Sequence, residues 1–122
     1  MIDKNRVLVV DDEETLRIVL SDELAREGYE VTTATDGKEA IASIQTKKFD
    51  VAILDVKMPN VDGYEVLKFA KKNFPLVRVI MLTAHADLGS AIEAKKHGAD
   101  DFIEKPYDLF DLFSAIERVL NM

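Results

Sequence analysis

Short apolar runs alternating with helix-patterned segments, five times over, restrict this chain more than any other feature. Val7-Leu8-Val9-Val10 and Val51-Ala52-Ile53-Leu54 are apolar throughout. A strand with one wet face alternates polar and apolar residues, so continuous runs fit strands covered on both faces. Val77 to Leu82 reads as another strand, Asp101 to Glu104 as a shorter one, and Glu30 to Ala34 as a more polar one near a sheet edge. Helical segments are expected over Glu13–Glu27, Gly37–Thr46, Val61–Asn73, Ala86–His97 and Leu109–Leu120. Gly28 and Gly98 stop the first and fourth of these, and Pro75 lies just past the third. Such alternation implies an α/β fold, a parallel sheet with helices on both faces. Right-handed crossovers leave few topologies, and the expected one is a doubly wound five-stranded parallel sheet of order 2-1-3-4-5 with five helices. At 122 residues, one domain spanning 1–122 is expected.

Composition narrows the function. A net charge of −7 disfavours direct nucleic-acid binding, which needs clustered Lys and Arg. The chain has no cysteine, which removes thiol catalysis, disulfides and Cys-ligated zinc. No apolar run approaches a membrane span, and Met1 to Arg6 lacks the apolar core of a signal peptide. No membrane association and a cytoplasmic location are expected.

In a doubly wound sheet the functional site lies at the carboxyl ends of the strands, where the winding reverses. The first strand runs into Asp11-Asp12, the third into Asp55, the fourth into Thr83 and the fifth into Lys105. Asp11-Asp12 taken alone reads as well as a solvated or helix-capping acidic patch, with Glu13-Glu14, as it does as part of a site. Taken together, three acids, a hydroxyl and an amine converge on one sheet edge. Three close carboxylates repel one another, and a hard divalent cation such as Mg²⁺ relieves that repulsion with oxygen ligands. A carboxylate is also a competent nucleophile for phosphorus. With Lys105 as a fixed charge and Thr83 as a donor, these parts suit phosphoryl transfer to Asp55.

Four stretches carry a resemblance: Val7 to Glu13, Asp55 to Gly63, Met81-Leu82-Thr83-Ala84, and Phe102-Ile103-Glu104-Lys105-Pro106. In this order and spacing they resemble the receiver domain of bacterial two-component response regulators, the CheY-like family, over essentially the whole chain. The resemblance implies a flavodoxin-like fold and a phosphorelay switch rather than a metabolic enzyme. Asp55 would accept phosphate from a sensor histidine kinase or a histidine phosphotransferase. Asp12, Asp55 and the backbone carbonyl of Lys57 would ligate Mg²⁺, and Asp11 would act through a metal-bound water. Thr83 and Lys105 would bind the phosphoryl group, and a cis Lys105-Pro106 bond would aim Lys105 inward. Phe102 would be the switch aromatic, with simple core packing as its alternative. The readout would be a downstream protein or a fused output domain, with transcription regulation as one such output. It would act through the face of helix 4, strand 5 and helix 5, where a homodimer can also form.

Several features belong to this copy. Lys57 is a long amine two residues after Asp55, and it is expected either to shield an acyl phosphate or simply to be solvated. His85 is expected in an exposed loop, and His97 as a cation at a helix end. The first helix has more apolar positions than one core stripe needs, so Leu16, with Pro106 and Tyr107, is a candidate donor-docking contact. Two rivals fit less well. An aspartyl-phosphate phosphatase needs an acid where Lys57 stands. A flavin module needs a Ser/Thr/Gly-rich loop after the first strand, where this chain has Asp11-Asp12-Glu13-Glu14.

Overall fold

A computed structural model describes residues 5–58, 60–84 and 88–122. Five strands alternate with five helices: β1 (Arg6–Val10), α1 (Glu14–Arg26), β2 (Glu30–Ala34), α2 (Gly37–Thr46), β3 (Val51–Asp55), α3 (Gly63–Asn73), β4 (Arg78–Thr83), α4 (Leu88–Lys96), β5 (Asp101–Glu104) and α5 (Leu109–Leu120). All strand pairs are parallel, in the order β2-β1-β3-β4-β5. The winding therefore reverses between β1 and β3. The polar strand β2 is an edge, as its composition implies.

The apolar runs divide residue by residue between two cores, because successive strand side chains point to opposite faces. Val7, Val9, Val51, Ile53, Ile80 and Leu82 pack with Leu20 and Leu24 of α1 and Leu112, Ile116 and Val119 of α5. Leu8, Val10, Ala52, Leu54, Val79 and Met81 pack with α2, α3 and Ala94 of α4. Helices on both faces thus explain why these strands read as unbroken apolar segments. Burying one such side chain contributes about 1.5–3 kcal/mol, so the two faces together fix the register.

The helix boundaries differ from the sequence reading in one informative place. The third helix starts at Gly63, not Val61, because Asp62 is extended and its side chain accepts a hydrogen bond from Glu65 N at 3.0 Å. Asp36 and Asp108 cap α2 and α5 in the same way. Gly28 and Gly98 have positive φ, as terminators of α1 and α4 that L side chains would strain. Among the described residues no helix is long and apolar enough to cross a membrane.

Candidate acidic site at the carboxyl edge of the sheet

The winding reversal opens the edge between β1 and β3, and the strand-end residues meet there. Asp55 ends β3 and Thr83 ends β4, while Asp11 follows β1 and Lys105 follows β5. Asp11, Asp55 and Thr83 are buried, and Asp12 is exposed. One carboxylate oxygen each from Asp11, Asp12 and Asp55 lies within 4.8 Å of the others. Lys105 Nζ donates to Asp11 Oδ2 at 2.9 Å and stands 3.6 Å from Asp55 Oδ1. Its backbone N–H donates to the Thr83 carbonyl at 2.7 Å, which fixes the end of β5 against β4. The Lys105-Pro106 peptide is cis, as the family resemblance implies.

The electrostatics follow from that crowding. Burial pushes the Asp55 carboxyl up to about 6; Lys105 opposes the rise, and Asp11 and Asp12 add to it. Burial also works against the charge on Lys105, but the Asp11 bond and the neighbouring acids outweigh it and leave its pKa raised. One ammonium thus faces three acids. Such a set could hold a metal ion, and its all-oxygen donors with one exposed member suit a hard divalent cation.

The chain after Asp55 is built around close backbone approach. Gly63 N donates to the Val56 carbonyl at 2.9 Å, and a Cβ on Gly63 would lie 2.2 Å from the Asp55 carbonyl oxygen. Only glycine fits there. Asn60 takes a left-handed φ of 67° in the same loop. Lys57 is exposed, and with Asp12, Glu13, Asp55, Thr83 and Lys105 it lines a cleft of about 260 Å³. Beside it an apolar groove of about 460 Å³ is lined by Leu16, Val19, Pro106, Tyr107 and Leu109. Leu16 is half-buried, while Ile18 and Val19 on the same helix are each 50% exposed.

Phe102 is half-buried, beside Met81 on β4, and packs against the core beneath α2, α3 and α4. His97 pairs with Glu93 at 2.9 Å, and His85 lies outside the described residues. Two site neighbours escaped the sequence reading. Arg17 Nη1 donates to the Asp11 carbonyl at 2.9 Å, and Tyr64 donates from its hydroxyl to the Ser90 carbonyl on α4 at 3.1 Å. Neither has a sequence signal, since both act on backbone atoms that only the fold brings near.

A family model described as response regulator receiver domain matches residues 7–117. The DNA-binding transcriptional regulator NtrC of Salmonella typhimurium is 39% identical over 115 residues, which are 94% of this chain and 24% of that protein. The probable transcriptional regulator ycf27 of Guillardia theta is 42% identical over 118 residues, 97% of this chain and 46% of that one. This chain therefore spans about a quarter to a half of the curated relatives it matches. Among solved structures, a CheY-like receiver domain protein from Methanospirillum hungatei superposes with a TM-score of 0.94 at 34% identity, covering 98% of this chain and 95% of that one. Chemotaxis protein CheY4 of Vibrio cholerae gives 0.91 at 36% identity, covering 96% and 99%.

Proposed function

The chain belongs to the response regulator receiver domain family of two-component signalling, and we propose that Asp55 is its phospho-acceptor, loaded with the help of Mg²⁺. The single observation that carries this reading is the convergence of Asp11, Asp12, Asp55 and Lys105 on one sheet edge. Asp12, Asp55 and the Lys57 backbone carbonyl would hold the metal, with Asp11 acting through water. The ion would supply positive charge to phosphoryl oxygens and relieve repulsion among the acids.

The rest of the chemistry belongs to the chain. An ionised Asp55 oxygen attacks the phosphorus of a phosphohistidine. The new bond joins that oxygen to phosphorus, the nitrogen–phosphorus bond breaks, and the electron pair leaves with the imidazole. With its pKa at about 6, Asp55 is mostly ionised near neutral pH. Lys105 Nζ, 3.6 Å from Asp55 Oδ1, offers its charge to the incoming group, and Thr83 offers a hydroxyl donor at the end of β4. The catalysis is of the domain's own phosphorylation and dephosphorylation only.

A sensor histidine kinase or histidine phosphotransferase is the proposed donor. The apolar groove at Leu16, Pro106 and Tyr107 adjoins the acidic cleft, which suits docking of that donor. The proposed switch pairs Thr83 with Phe102 and acts on the face formed by α4, β5 and α5. Ile92 on α4 is 57% exposed and Phe110 on α5 is 74% exposed, so that face has apolar contacts to offer a second copy, a downstream protein or a fused output domain. The proposed setting is cytoplasmic.

Acetyl phosphate with Mg²⁺, read by intact mass, tests the reading. The wild type should gain one phosphoryl group, and chelation of the metal should abolish the gain. Asp55→Asn should stay unlabelled. Labelling that persists in the variant would place the acceptor elsewhere.

A further inference from the structure

Helix α1 is the exception among the helices whose caps are described. Helices α2, α3 and α5 each begin at an Asp whose side chain accepts a backbone N–H, whereas Glu13 before α1 makes no such bond. The start of α1 is held from Asp11 instead. Asp11 Oδ1 accepts from Glu13 N at 2.9 Å, and Asp11 Oδ2 accepts from Lys105 Nζ at 2.9 Å. Its carbonyl oxygen accepts from Arg17 Nη1 at 2.9 Å. Arg17 thus reaches back from the first turns of α1 to the end of β1 and closes a ring around Asp12 and Glu13.

That carbonyl matters because of the peptide plane to which it belongs. The Asp11 C=O and the Asp12 N–H are parts of one rigid unit. A guanidinium fixed on the oxygen sets the tilt of the plane and hence the direction in which Asp12 projects its side chain. Asp12 is the exposed member of the acid cluster, so neighbouring side chains pack around it least. We propose that Arg17 is a positioning residue for the metal loop, aiming the Asp12 carboxylate through its bond to the Asp11 carbonyl. This inference rests on the metal reading given above.

A competing role makes the opposite prediction. If Arg17 acted only as a charge, its removal would leave the acid cluster more negative, and Mg²⁺ would bind more tightly. If it positions, removal weakens binding. Groups that orient ligands from outside typically change metal affinity by about 10–100-fold when lost.

The test is a Mg²⁺ titration followed by backbone amide chemical shifts, with no phosphoryl donor present. Arg17→Met keeps a long stem for packing but has no donor. Its dissociation constant should rise about 10–100-fold, and Arg17→Lys, which keeps the charge and a compact ammonium donor group on a shorter reach, should recover part of that loss. Binding by Arg17→Met as tight as wild type or tighter overturns the proposal. Should Arg17→Met not fold, the wild type decides through its own guanidinium signals. Resolved Nη protons that shift on Mg²⁺ addition support the bond, and a freely averaged signal overturns it. A wild type with no saturable Mg²⁺ binding removes the metal reading itself, while the guanidinium signals still report whether Arg17 holds the loop.

Discussion

Replacing Asp55 by Asn should stabilise the metal-free protein, although it removes the proposed phospho-acceptor. The structure supplies the reason. Asp55 is 7% exposed, burial is the largest influence on it, and the adjacent acids add to its cost when ionised. Its pKa rises from 3.8 to about 6 in the fold, with the favourable effect of Lys105 already included. A raised folded pKa means that stability is fully present below the unfolded pKa and is lost as pH rises through the folded one. Between about pH 4 and pH 6 the wild type should lose up to about 3 kcal/mol from this group alone. The variant has no carboxylate to ionise and escapes that loss. Urea unfolding in chelator, followed by far-UV circular dichroism, should find the two proteins diverging across that window and parallel above pH 7. Against a total stability of about 5–15 kcal/mol the difference is easily read. Mg²⁺ should then reverse the order in part, adding about 1.4 kcal/mol to the wild type at ten times its dissociation constant. A variant no more stable at pH 8, or a gap that does not change with pH, would refute the electrostatic argument.

Other consequences are more local. Tyr64→Phe deletes the donor to the Ser90 carbonyl, so amides of α4 should exchange faster by about 1 kcal/mol of opening free energy, with the sheet unaffected; unchanged exchange on α4 would dismiss the tether. Leu16→Ala with Tyr107→Ala strips the groove beside the acidic cleft. Phosphotransfer from a protein donor should slow while labelling by acetyl phosphate is kept, and fast transfer from the donor in a folded double variant counts against docking there. Lys57→Ala opens the rim of the cleft, and the phosphorylated form should decay faster. Decay at the wild-type rate or slower would return Lys57 to the role of a solvated side chain.

Much of the fold was legible because burial on two faces leaves a plain mark. Val7 to Val10 and Val51 to Leu54 are apolar at every position because alternate residues enter different cores. The topology placed the strand-end acids together before any distance was known, and the 4.8 Å cluster has the same three members. The start of α3 is hidden in the sequence because Val61 continues the apolar pattern, while the capping bond of Asp62 decides the boundary. Arg17 and Tyr64 were missed for a related reason. Their partners are the Asp11 and Ser90 carbonyls, and a backbone oxygen has no letter in a sequence. Leu16, the candidate docking contact on α1, is half-buried at a groove edge, because α1 turns its apolar excess outward mainly at Ile18 and Val19.

In the proposed active form, phosphate sits on Asp55 and nowhere else. Borohydride reduction converts an aspartyl phosphate to homoserine, and fragment masses locate the converted position. After treatment with acetyl phosphate and Mg²⁺, homoserine is predicted at position 55 alone. Homoserine at 11 or 12, or phosphorylated protein in which 55 remains unconverted, would contradict the account.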